Sequence, residues 1–174
     1  MDAKTMRNVK EVNKGDVIAF KANDQRYKAL LCTSTFKERS PHYFTFAALS
    51  TNQEELPNLE EIQESCFYGI GNRKDSTFGY SENELVIMWS VHPEIKPYFL
   101  GSYGLTIWRK DFIKFRENLV FVGQLNIIEN LDMNGNGSIN ASDWDFLKDF
   151  FDEKYTSNLA EKGQKLFKIK AIIT

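Results

Sequence analysis

Cysteine and histidine, the side chains that most often carry metal or redox chemistry, occur only twice each in these 174 residues. Cys32 and Cys66 sit inside apolar runs, Leu30-Leu31-Cys32 and Cys66-Phe67-Tyr68, and read as two buried thiols. A single disulfide remains open in an oxidising compartment, but no zinc spacing and no Cys-x-x-Cys pair is present. His42 and His92 each lie beside a proline at a strand boundary, where a strand-end residue is a better reading than a catalytic pair. There is no Gly-x-Ser-x-Gly elbow, phosphate-binding loop or His-Glu-x-x-His. The Gly69-Ile70-Gly71 stretch lacks the third glycine and the βαβ frame of a dinucleotide site. Enzymatic chemistry thus has no visible carrier, and a non-enzymatic protein is expected. Long apolar runs are missing as well: no stretch reaches the length of a membrane span, and Met1 to Glu11 holds no apolar leader core. A cytoplasmic protein is the expectation, or a secreted one if a leader has been removed. Charge of one sign is lacking too, since 22 basic residues balance 24 acidic ones. No global field exists to hold a nucleic acid or an anionic membrane.

What is plentiful is aromatic, with 14 phenylalanines among the apolar residues. Together with the length this predicts one real hydrophobic core and argues against disorder. Val17 to Phe20, a polar turn at residues 23–26, and Tyr27 to Phe36 read as strand, turn, strand. Tyr43 to Leu49 supplies a third strand in which aromatics alternate with smaller residues, so the three form a meander. Leu85 to Val91, Leu105 to Trp108 and Leu119 to Ile128 complete about six strands. Pro57 opens a short amphipathic helix with Leu59, Ile62 and Cys66 on one face, and Tyr68 to Glu82 reads as a loop. Arg109 to Asn118 is either turn or short helix. The fold class is therefore α+β: mainly antiparallel strands in a small curled sheet or partly open barrel, one short helix, and a C-terminal loop-helix appendage. The expected division is a β-rich core over residues 11–128, followed by a segment over 129–174 packed on it. In that segment Trp144, Leu147, Phe151 and Tyr155 have helical spacing, and lysines 165, 168 and 170 guard a returning edge strand.

The most specific pattern begins at Asp132: Asp-Met-Asn-Gly-Asn-Gly-Ser-Ile-Asn-Ala-Ser-Asp. Oxygen-bearing groups fall at positions 1, 3, 5, 7, 9 and 12 of a calcium-type loop. Asp132, Asn134, Asn136, the Ser138 carbonyl, Asn140 through water, and Asp143 are the candidate ligands for Ca2+. Only Asp132 and Asp143 carry charge, so affinity should be weak, on the order of 10⁻⁴ to 10⁻³ M. The loop resembles those of EF-hand and dockerin proteins, yet it stands alone, with no second oxygen ladder after Tyr155. A structural clip is the sensible role. The bland alternative is a tight turn with Asn140 as a helix N-cap and Asp143 bonding back to it.

A second cluster, Glu54, Glu55, Glu60, Glu61 and Glu64, lies on and before the short helix. It is either a solvated face or a docking surface for a basic protein partner. The basic and aromatic segment from Arg109 to Arg116 is interrupted by Asp111 and makes a weak nucleic-acid surface.

The run Gly15-Asp16-Val17-Ile18-Ala19-Phe20, then a polar turn, then Tyr27 leading an apolar strand, resembles the opening of the immunity protein 26 family of bacterial polymorphic-toxin systems. The likeness extends loosely over residues 11–128. It implies a β-rich inhibitor that blocks a cognate toxin in the cell that makes it, with the glutamate cluster as candidate partner-binding surface. The alternative is a calcium-stabilised extracellular module that binds a protein or carbohydrate.

Overall fold

In the computed structural model, residues 4–9, 11–35, 43–69, 105–127, 139–152 and 165–173 are described. The expected strand at Leu85 to Val91, both histidines and loop positions 132–138 lie outside them.

Alternation along the first three long strands builds the centre. In β2 (Asp16–Lys21), β3 (Tyr27–Thr35) and β4 (Tyr43–Ala48), Ile18, Phe20, Leu30, Cys32, Phe44 and Phe46 point to one face. Val17, Ala29, Leu31 and Ala47 point to the other. Both faces are buried, so the strands carry apolar residues at nearly every position. The meander β2-β3-β4 continues to β6 (Leu105–Trp108) on one side and to β7 (Val120–Gln124) on the other. Two-residue strands, β1 (Lys4–Thr5) and β8 (Ile139–Asn140), extend the edges, giving the order β1-β7-β2-β3-β4-β6-β8. All pairs are antiparallel except β6 with β8. The fold is α+β, and the sheet does not close into a barrel among the described residues.

Each face has its own cover. Helix α2 (Arg109–Phe115) brings Phe112 and Phe115, and helix α3 (Trp144–Phe150) brings Leu147, onto the face of Phe20 and Phe44. Phe20 meets Trp144 and Phe151 edge-on at centroid distances of 5.8 and 5.4 Å. Each such pair adds about 0.5–1.5 kcal/mol beyond area burial. The opposite face is covered by Ile62 of helix α1 (Leu59–Glu64) and by a two-stranded sheet of β5 (Cys66–Gly69) with β9 (Lys165–Lys168). The returning strand expected at the C-terminal end is thus present, and it pairs with β5.

Two local readings change and one left open is decided. Cys66 and Tyr68, expected in helix and loop, belong to β5, because Ser65 ends α1 by donating its backbone N–H to the Ile62 carbonyl. Arg109 to Asn118 is helix α2 followed by a 3-10 turn over Arg116–Asn118. The polar N-terminal lead contributes β1 and buries Met6 and Val12. Neither cysteine is in a disulfide; Cys32 is buried and Cys66 half-buried.

Candidate partner-binding site

Helix α1 is short and acidic, and its start is fixed by a reciprocal cap. The Glu61 amide donates to Asn58 Oδ1 at 2.9 Å, while the Asn58 amide donates to Glu61 Oε2 at 2.9 Å. This capping box places one glutamate by backbone geometry and leaves the exposed face of a single turn to Glu60 and Glu64. Leu59 anchors the helix to the sheet by lying over Gly123, where an added Cβ would sit 3.0 Å from its methyls.

A groove of about 560 Å³ runs between α1 and the strip that follows β4. Residues 50–53 form one wall; Glu60, Glu61, Glu64 and Ser65 form the other. Of the five glutamates expected at a binding surface, these three come together here. Glu54 and Glu55 lie on the exposed chain leading into the helix, outside the groove lining. Part of the charge is already answered from within the chain. Glu64 pairs with Lys170 at 2.5 Å, and Glu54 with Arg26 at 3.8 Å, both in solvent-exposed settings. Such pairs are worth little and are readily exchanged.

The wall of residues 50–53 is held from below. Gln53 exchanges backbone hydrogen bonds with Tyr27, donating at 3.3 Å and accepting at 2.7 Å. Asn52 accepts from Lys28 Nζ at 2.7 Å and from Arg26 Nε at 2.8 Å on its side-chain oxygen, and from a second Arg26 nitrogen at 2.6 Å on its carbonyl. Lys28 also donates to Asp24 Oδ2 at 2.6 Å. Burial alone pushes the Asp24 carboxyl up, but the Lys28 and Arg26 hydrogen bonds and the charges of both cations outweigh it and hold the group below the ordinary carboxylate range. The sequence reading missed Lys28, Arg26 and Asn52. The available signal was a lysine set inside the apolar run from Tyr27 onward.

A second cavity, about 390 Å³, is lined by Lys14 and residues 124–127. Nearby Asp16 has its carboxyl pushed up by burial, opposed by hydrogen bonds from the Asn13 amide and the Gln124 side chain.

Of the expected calcium ligands, Asp132, Asn134, Asn136 and Ser138 lie outside the described residues. Asn140 is exposed in β8. Asp143 is the N-cap of α3, its Oδ1 accepting from the Phe146 amide at 2.8 Å. The cap therefore falls on Asp143 and not on Asn140. Helix α3 begins directly after Asp143, and one carboxylate oxygen is used by the cap. Asn140 and Asp143 are thus the two expected ligand positions that are described, and no group of three or more His, Cys, Asp or Glu side chains that could hold a metal lies among the described residues.

No family model, curated protein or solved structure matches this chain. No helix among the described residues is long and apolar enough to cross a membrane.

Proposed function

We propose that this protein is a non-enzymatic inhibitor of the immunity type, which blocks a cognate toxin domain by covering a basic surface with the α1 face. The observation that carries the reading is the groove whose one wall is Glu60, Glu61 and Glu64 and whose other wall is the polar strip of residues 50–53. Carboxylates beside amide and hydroxyl groups suit lysine and arginine side chains of a protein partner, with bidentate recognition available to arginine. Exposed internal partners such as Lys170 can yield to an incoming cation at little cost. A standard interface of roughly 1,600 Å² would extend beyond α1 onto the neighbouring surface.

The test is co-purification from the native host and identification of the bound protein, followed by affinity measurement with the double variant Glu60→Lys, Glu64→Lys. Glu61 is left intact because it caps the helix. Affinity should fall at least tenfold, chiefly through a slower on-rate whose loss shrinks at high salt. An unchanged affinity removes α1 as the site.

A second reading, the calcium-stabilised extracellular module, rests on the oxygen pattern from Asp132 to Asp143, the last of which immediately precedes α3. In it the loop stiffens one end of the fold, and the ion takes no part in turnover.

A further inference from the structure

We propose that Lys28 is a positioning residue for the groove: its enclosed ammonium fixes Asn52, and through Asn52 the wall of residues 50–53. Its functional meaning rests on the docking reading above, while the geometry is independent of it. Lys28 is fully buried, at 0% exposure, at the second position of β3 and directly opposite Phe20 in the β2–β3 ladder. Enclosing an ammonium costs several kcal/mol of hydration before any partner is counted. An aliphatic residue of similar length would fill the same space without that cost, so core packing alone does not account for a lysine here.

What the charge does is visible at its tip. Nζ bridges Asp24 on the β2–β3 turn and Asn52 on the groove wall, at 2.6 and 2.7 Å. Asn52 is itself exposed, between buried Thr51 and a Gln53 that is backbone-paired with Tyr27, and its side-chain oxygen is placed by the bonds it accepts. Those from Arg26 come from a side chain 38% exposed, which water can replace; the one from Lys28 comes from a group that cannot turn to solvent. From Asn52 the order passes to Gln53, whose side chain donates to the Glu55 carbonyl at 3.0 Å and to Glu61 Oε2 at 3.4 Å. The buried cation thereby sets the spacing between the two walls of the groove.

The experiment compares Lys28→Met, Lys28→Arg and Asn52→Ala with the wild type by amide hydrogen exchange and by NMR titration of Asp24. In Lys28→Met the amides of Tyr27 and Gln53 should exchange at least tenfold faster, while Ile18 and Leu30 in the same ladder keep their protection. The Asp24 carboxyl should titrate higher, because the Lys28 bond and charge are gone; Arg26 remains beside it, with Glu54 and Asp149 as the outlying acids on Arg26 and Asn23. Lys28→Arg should restore part of both effects. Asn52→Ala, which keeps the Lys28–Asp24 pair and alters no buried side chain, should reproduce the faster exchange without needing Lys28 to be changed. Unchanged exchange at Tyr27 and Gln53 in either Lys28→Met or Asn52→Ala overturns the proposal. No partner enters this measurement, so its failure is distinct from failure of the docking test.

Discussion

At the residue scale, a single glycine just before the second strand ties the third strand to the residue that follows the seventh. Gly15 has φ +92°, donates its N–H to the Cys32 carbonyl at 2.8 Å, and accepts from the Leu125 amide at 2.8 Å. A Cβ there would lie 2.1 Å from the Leu125 carbonyl oxygen, which is backbone and cannot step aside. Gly15→Ala should therefore cost about 3 kcal/mol, read as a lower urea midpoint at unchanged m-value. The sequence marked Gly15 only as the start of a strand, since a left-handed φ leaves no trace beyond the glycine itself. Lys28 was hidden for the opposite reason. A lysine in an apolar run reads as an exposed edge position, and its burial depends on Asn52, 24 residues away along the chain.

Among elements, local pattern was legible where it decided the outcome, and partnership was not. The alternation of Phe44 and Phe46 with smaller residues predicted β4, and the helical spacing of Trp144, Leu147 and Phe151 predicted α3. By contrast, β5 was read as helix end and loop, because its pairing partner, β9, lies about a hundred residues further on. Helix α3 offers a test of its cap and of the cation loop together. Asp143→Ala should lose about 1 kcal/mol of stability, while Asp143→Asn, which caps equally well, should lose almost none in calcium-free buffer. If the loop binds calcium with a dissociation constant near 10⁻⁴ M, about 1 mM calcium adds ~1.4 kcal/mol, or roughly 3–5 °C in melting temperature. Asp143→Asn and Asp132→Ala should both abolish that rise under the module reading. Under the inhibitor reading the wild type itself shows no rise.

Across the whole molecule, the near balance of 22 basic and 24 acidic residues hides an uneven distribution. Acidic side chains gather on α1 and the groove beside it, so the field they set up is local and long-range attraction is modest. The glutamate cluster was plain in the sequence, but its division into a cap (Glu61), an ion pair (Glu64) and a free-facing wall came only with the fold. A further consequence follows from the β2–β3 turn. Asn23 is hydrogen-bonded to Asp149 of α3, Asp24 and Arg26 reach the groove side, and Gln25 takes a left-handed φ of +64°. Hairpin tips are ordinarily the places where a protein accepts inserted segments. This tip is instead a rivet through three parts of the chain, so splicing a short glycine-serine spacer between Asn23 and Asp24 should lower the melting temperature by roughly 5 °C or more. Anyone grafting a tag or reporter into this molecule would do well to choose another bend.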